Sequence, residues 1–230
     1  METADILSRP THVLPQHHRE HYFKHGYTSV KNFVPTDVLQ HLIEVKNEFV
    51  DASRGETESG SVYDLGPAHG PEKPQLRRLK RPDDQHDVFW NFAKGLLADV
   101  ATDLLGPDVA FYHSKLNFKW AGGSDAVKWH QDAQFVPHTN YNVIYIGTYL
   151  ADTGMDNGPL ALVKDSHEGP LYDLYGDDGE WRDGELHGQR GGRRGQYAGH
   201  QPGDGKLQQH RGGGVTTTAL SLSGGTMSGA

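Results

Sequence analysis

Val109-Ala110-Phe111-Tyr112-His113-Ser114-Lys115-Leu116-Asn117-Phe118 is where the pattern of the chain changes. Upstream, apolar residues recur at helical spacing. Here they alternate, which predicts a strand with Phe111, His113, Lys115 and Asn117 on one face and Tyr112, Leu116 and Phe118 on the other. Polar residues therefore line one face of this strand.

Working upstream, Asp83 and Asp84 place acids in the first turn of a helix whose apolar stripe is Val88, Phe89, Phe92, Leu96, Leu97, Val100 and Leu104, and Gly106-Pro107 stops it. Leu76-Arg77-Arg78-Leu79-Lys80-Arg81 reads as a charged edge strand in preference to an arginine site for an anion. Residues 51–74 are polar and rich in Gly, Pro and Ser, a loop with one short extended piece at Val62-Tyr63. Pro35-Thr36-Asp37 opens a helix that buries Val38, Leu39, Leu42, Ile43 and Phe49. Before it, Gln16 to Phe33 reads as a short helix, a break at Gly26 and an extended piece. His17, His21 and His25 recur on one face of that helix, but the charged neighbours Arg19, Glu20 and Lys24 favour a solvated helix over a metal site.

Downstream, Gly122 to Asp125 makes a turn, and Ala126 to Asp132 forms the next strand. Asn142 to Leu150 is a buried strand and Leu160 to Val163 a short one. Helices followed by closely spaced strands predict a mostly β domain, a barrel or jelly roll with helices outside it.

The strand ending in Trp129-His130-Gln131-Asp132 carries the chemistry. Alternate residues of a strand share a face, so the His130 imidazole and the Asp132 carboxylate would point the same way and Gln131 away from them. That is two thirds of a 2-His-1-carboxylate site, the arrangement that leaves open positions on iron for a cosubstrate and oxygen.

Composition narrows the partners. With 230 residues the chain suffices for one good-sized domain, and its net charge of -8 without a basic run before the tail argues against nucleic acid and anionic membranes. A small molecule is the expected partner. There is no cysteine, which excludes disulfides, thiol catalysis and Cys-bound zinc. No signal-like start and no membrane-length apolar run are present, so the expected location is the cytoplasm.

From Asp183 to Ala230, 48 residues hold 14 of the 29 glycines, five Leu or Val and one aromatic, Tyr197. The expected organisation is thus a domain over residues 1–182 and a Gly-rich segment over 183–230 that is disordered or read from a shifted frame.

Five ordered motifs resemble the phytanoyl-CoA dioxygenase family: Lys115-Leu116-Asn117-Phe118-Lys119, Trp129-His130-Gln131-Asp132, Tyr149-Leu150-Ala151-Asp152, Asp156-Asn157-Gly158-Pro159-Leu160 and Ser166-His167-Glu168-Gly169-Pro170-Leu171. Phe23-x-x-Gly26-Tyr27 and Leu76-Arg77-Arg78-Leu79 fit as well, so the resemblance spans roughly residues 20–175. It implies a double-stranded β-helix and a dioxygenase that uses Fe(II), 2-oxoglutarate and O2 to hydroxylate a small organic substrate. His130 and Asp132 would bind the iron, and Lys115 and Thr148 would line the 2-oxoglutarate pocket. His167 would be structural. The family's second iron histidine and its cosubstrate arginine should follow on late strands. His187, His200 and His210 occur there, none within a strand-like run or Val-His-Gly-type surroundings, and order alone makes His200 or His210 the candidate third ligand. The expected barrel is therefore incomplete at its C-terminal end. A binding protein without turnover and a cupin-type metal enzyme independent of 2-oxoglutarate are the rival readings.

Overall fold

The computed structural model describes residues 1–120, 130–132, 142–154, 159–173, 178, 180, 187–194 and 215–224. In chain order the principal elements are α1 (Thr3–Ser8), α2 (Gln16–His25), α3 (Thr36–Ala52), β1 (Tyr63–Leu65), β2 (Leu76–Lys80), α4 (Pro82–Gln85), α5 (Asp87–Phe92), a wide helical turn (Ala93–Leu97), α6 (Ala98–Leu105), β3 (Val109–Lys119), β4 (Val143–Tyr149), β5 (Pro170–Asp173), β6 (His187–Arg194) and β7 (Val215–Gly224). Helix and antiparallel sheet occur in comparable measure, where the composition of the strands predicts a mostly β chain.

Contacts divide the chain into two compact units. The first comprises Met1–Val30, Asp125–Tyr141 and Leu160–Gln208, the second Lys31–Ser124, Asn142–Pro159 and Gln209–Ala230. In the first unit, Arg19 of α2 is 1% exposed. Its guanidinium donates to the carbonyls of Arg9 (3.0 Å) and Ile6 and to Gln16 Oε1 (2.8 Å), so a buried charge ties α1 and its following loop to α2. α2 ends at Gly26, whose φ of 79° is the left-handed cap conformation, with its N–H donating to Tyr22 O at 2.8 Å. β5 and β6 pair antiparallel.

The second unit holds a five-stranded antiparallel sheet in the order β1-β2-β3-β7-β4. Leu76 and Leu79 of β2 and Leu116 of β3 are fully buried, together with Leu42 and Val45 of α3, Phe89 and Phe92 of α5, and Ala101 and Leu104 of α6. One face of the sheet thus shares a core with helices. β2 is interior, contrary to the edge position its charges suggest: β1 covers its far side, Arg78 donates to Asn117 Oδ1 at 3.1 Å and Lys80 to Gly60 O at 2.7 Å.

The helix expected over residues 83–104 is broken twice. His86 is extended (φ -156°, ψ 136°) and its Nδ1 accepts from Val88 N–H at 3.1 Å, so the imidazole caps a new helix instead of continuing the old one. Farther on, Gly95 leaves helical geometry and the turn widens there. Leu160 to Val163 is not a strand. Conversely, β6 and β7 lie within the segment expected to lack regular structure. β7 reads Val-Thr-Thr-Thr-Ala-Leu-Ser-Leu-Ser-Gly, rich in β-branched residues yet poor in large apolar ones, which hides it from a search for hydrophobic alternation.

The pairing of β3 with β7 slips by one residue between Phe111 and His113, leaving Tyr112 as the extra residue of a bulge. Alternation does not survive a bulge. Phe111 joins the helix face, its ring 5.4 Å from that of Trp90, while Tyr112 stacks on His113 at 5.5 Å on the opposite face. The expected positions of Phe111 and Tyr112 are thereby exchanged, and those of Lys115, Leu116, Asn117 and Phe118 hold.

Candidate functional site

His130 and Asp132 lie in the first unit. His130 makes a β-bridge and Asp132 is already helical, so the chain turns between them; the preceding residues 126–129 of the expected strand lie outside the described residues. Gln131 is fully buried. His130 Nε2 and Asp132 Oδ1 are 3.3 Å apart, with side chains 15% and 21% exposed. Two donor atoms each about 2.1 Å from one cation and at right angles across it are roughly 3 Å apart, so this nitrogen-oxygen pair fits a shared metal with little adjustment. Among the described residues no group of three or more metal-ligating side chains is assembled. His200 and His210 lie outside the described residues. His187 is the first residue of β6, paired in register with Asp173. It does lie in a strand, contrary to expectation, and Leu186-His187-Gly188 departs from a Val-His-Gly pattern in Leu for Val.

Lys115 and Thr148 lie in the second unit and do not share a face. In the register of the sheet Leu116 pairs with Thr218 and Thr218 with Thr148, whereas Lys115 pairs with Ala219 and Ala219 with Gly147. Thr148, 7% exposed, is therefore on the buried face with Leu116. Lys115 stands on the other face with Asn117 and Arg78. His113 is on that face too. Its Nδ1 is buried with no hydrogen-bond partner among the described residues. Burial holds its imidazole below the usual histidine range, the positive charges of Lys115, Arg81 and Arg78 add to this, and Asp83 opposes it.

A third cluster closes the end of α2. His167 Nε2 contacts Phe23 O at 3.4 Å, and its ring lies where a Gly26 side chain would begin: a Cβ there would fall 2.5 Å from Nδ1. Asp165 donates its N–H to His25 O (3.1 Å) and its carboxylate meets His25 Nδ1 at 2.6 Å, a bond that holds the carboxyl below its usual range. His21 Nδ1 engages Tyr27 O at 2.8 Å and His18 Nδ1 engages Thr28 Oγ1 at 2.9 Å. These histidines fasten the break after α2.

Residues 22–198 match the family model of Phytanoyl-CoA dioxygenase (PhyH). The chain is 29% identical over 153 residues to a Stutzerimonas stutzeri protein named "Probable alpha-ketoglutarate-dependent hypophosphite dioxygenase", a match covering 66% of this chain and 53% of that one. It thus spans about half the length of that curated relative. Among solved structures it is similar to iron-bound EctD from S. alaskensis, with a TM-score of 0.65 and 17% identity over 91% of this chain and 76% of the other. AviO1 from Streptomyces viridochromogenes Tue57 gives a TM-score of 0.64 and 18% identity over 96% and 99%. The shared fold is the jelly roll of these structures.

Proposed function

Because the chain belongs to the phytanoyl-CoA dioxygenase family, we propose that it is an Fe(II)- and 2-oxoglutarate-dependent dioxygenase that hydroxylates a small molecule. The observation that carries this reading is the His130 Nε2 to Asp132 Oδ1 pair, 3.3 Å apart and half-buried. The iron, when bound, supplies the oxidising chemistry that no side chain of this protein offers, driven by conversion of 2-oxoglutarate and O2 to succinate and CO2. His130 and Asp132 would hold the metal, and their partial burial would limit the water that competes for it.

His187 is proposed as the third ligand, in preference to His200 and His210. It is the one histidine between residue 168 and the end of the family match at 198, it opens a strand, and it belongs to the same compact unit as His130 and Asp132. Arg190, Arg193 and Arg194 follow on β6, the His-then-Arg order expected of a chain that anchors the far carboxylate of 2-oxoglutarate. Lys115, on the polar face of the sheet, is proposed to add positive charge for an anionic ligand.

Anaerobic titration with Fe(II) and 2-oxoglutarate tests the reading through the visible charge-transfer band of the chelated complex. The band should form in the native chain, vanish in His130→Ala and His187→Ala, and persist in His200→Ala and His210→Ala. Absence of the band from folded native protein overturns the oxygenase reading; its loss in His200→Ala or His210→Ala alone moves the third ligand there. Succinate formation with O2 separates turnover from binding.

A further inference from the structure

Between α3 and α5 the second unit holds a pocket that takes in no residue assigned above to the metal or to 2-oxoglutarate. It is half open, with a volume of about 350 Å³. Its floor is apolar: Val88 and Phe92 of α5 are buried, and Val38 of α3 and Leu96 are half-buried. Its mouth is polar. His41, His86, Asp87 and Asn91 line it and are exposed. An apolar floor beneath a few convergent polar groups is the usual form of a small-molecule site, and leaving such a floor to water is unfavourable. The wall from His86 to Leu96 is also where the helical stripe breaks: His86 restarts the helix, and Gly95 leaves helical geometry. One unbroken helix would satisfy the same apolar pattern, and widened turns of this kind concentrate at functional sites.

Size and one imidazole define the ligand. A cavity of roughly 150 Å³ takes one benzene ring, so this space admits an apolar body of about ten carbon atoms. His86 Nδ1 accepts from Val88 N–H at 3.1 Å, so in the neutral ring the proton sits on Nε2 and the mouth of the pocket carries a fixed donor. The His41 ring meets that of His86 edge to face, centroids 6.4 Å apart, and steadies it. Asp87 and Asn91, one turn apart on α5, add a carboxylate and an amide. A hydroxyl accepts from the Nε2–H and donates to the Asp87 carboxylate. A carboxylate head would be repelled by Asp87, and a cation would leave the Nε2 donor unanswered. We propose that this pocket binds a neutral amphiphile, an alcohol with an apolar body of about eight to ten carbons, its hydroxyl at the corner formed by His86 and Asp87.

The full chain, carbon-13 labelled at its Val and Leu methyl groups, is titrated with 1-octanol and with octanoate at about pH 8, where histidine is neutral. Val38→Ile and Leu96→Met identify the reporting signals. Octanol should shift them saturably, octanoate should bind at least about threefold more weakly, and Asp87→Asn should remove that difference. His86→Asn keeps an acceptor for the Val88 N–H but lacks the donor at Nε2, so octanol should bind about fivefold more weakly while the urea-unfolding midpoint changes little. Val38→Trp fills the space and should abolish the shifts, with Val38→Phe as the alternative should the first not fold. The proposal is overturned if octanol leaves both signals in place, if its shifts survive in the filled variant, if octanoate matches octanol on the native chain, or if His86→Asn binds octanol as tightly as the native chain does. It is equally overturned if the signals move on dilution of the native chain and octanol does not compete, a result that seats a second copy in the pocket.

Discussion

Gly26 shows how a single atom decides a local structure. Its φ of 79° is available to glycine at little cost, and the imidazole of His167 fills the space a side chain would need. Gly26→Ala should cost about 1–3 kcal/mol in urea unfolding, and combining it with His167→Ala should recover the steric part of the loss and leave the strained backbone. At His113 the burden is electrostatic. The folded chain holds this imidazole below its ordinary value of 6.5, so the unfolded chain takes up the proton first as pH falls. Its contribution to stability is complete above about 6.5 and declines as pH drops from there towards the lowered folded value; His113→Gln should flatten that limb in thermal melts from pH 8 to 5. The meeting of His130 with Asp132 was legible because His-x-Asp is a spacing with chemical content. His113 was visible only as a member of a polar face, because nothing in a sequence reveals which buried nitrogen lacks a partner.

Elements were legible where one residue pattern governs one element. α3 follows its apolar stripe from Thr36 to Ala52, and β2 and β4 follow their compositions. Legibility failed where a short-range interaction interrupts a long-range pattern. The apolar stripe through residues 83–104 is real, yet His86 spends its Nδ1 on Val88 and restarts the helix. His86→Ala should therefore destabilise by about 1 kcal/mol in urea unfolding, while His86→Asn, able to accept the same N–H, should lose much less. In β3 the slip at Tyr112 exchanges two side chains between faces without altering the hydrophobic pattern. Bulges answer to the partner strand, and the partner here stands about a hundred residues downstream and contains few large apolar residues.

In the whole molecule the consequence of β7 is larger than its composition suggests. It lies between β3 and β4, pairing with both along its length, so the sheet that carries Lys115 and His113 depends on it. A chain ending at residue 208 should lose cooperative thermal unfolding and self-associate in size-exclusion chromatography through the two bared strands, whereas a disordered tail could be removed without effect. Chain order also sets a schedule. β3 is complete at Lys119 and β4 at Tyr149, but the strand that joins them begins at Val215. At about 5–20 residues per second of synthesis, β3 waits on the order of 5–20 seconds with one edge unsatisfied. During that interval the nascent chain displays a lengthening β edge to every neighbouring polypeptide, so its yield in a crowded cell will be governed by what shields that edge on the ribosome.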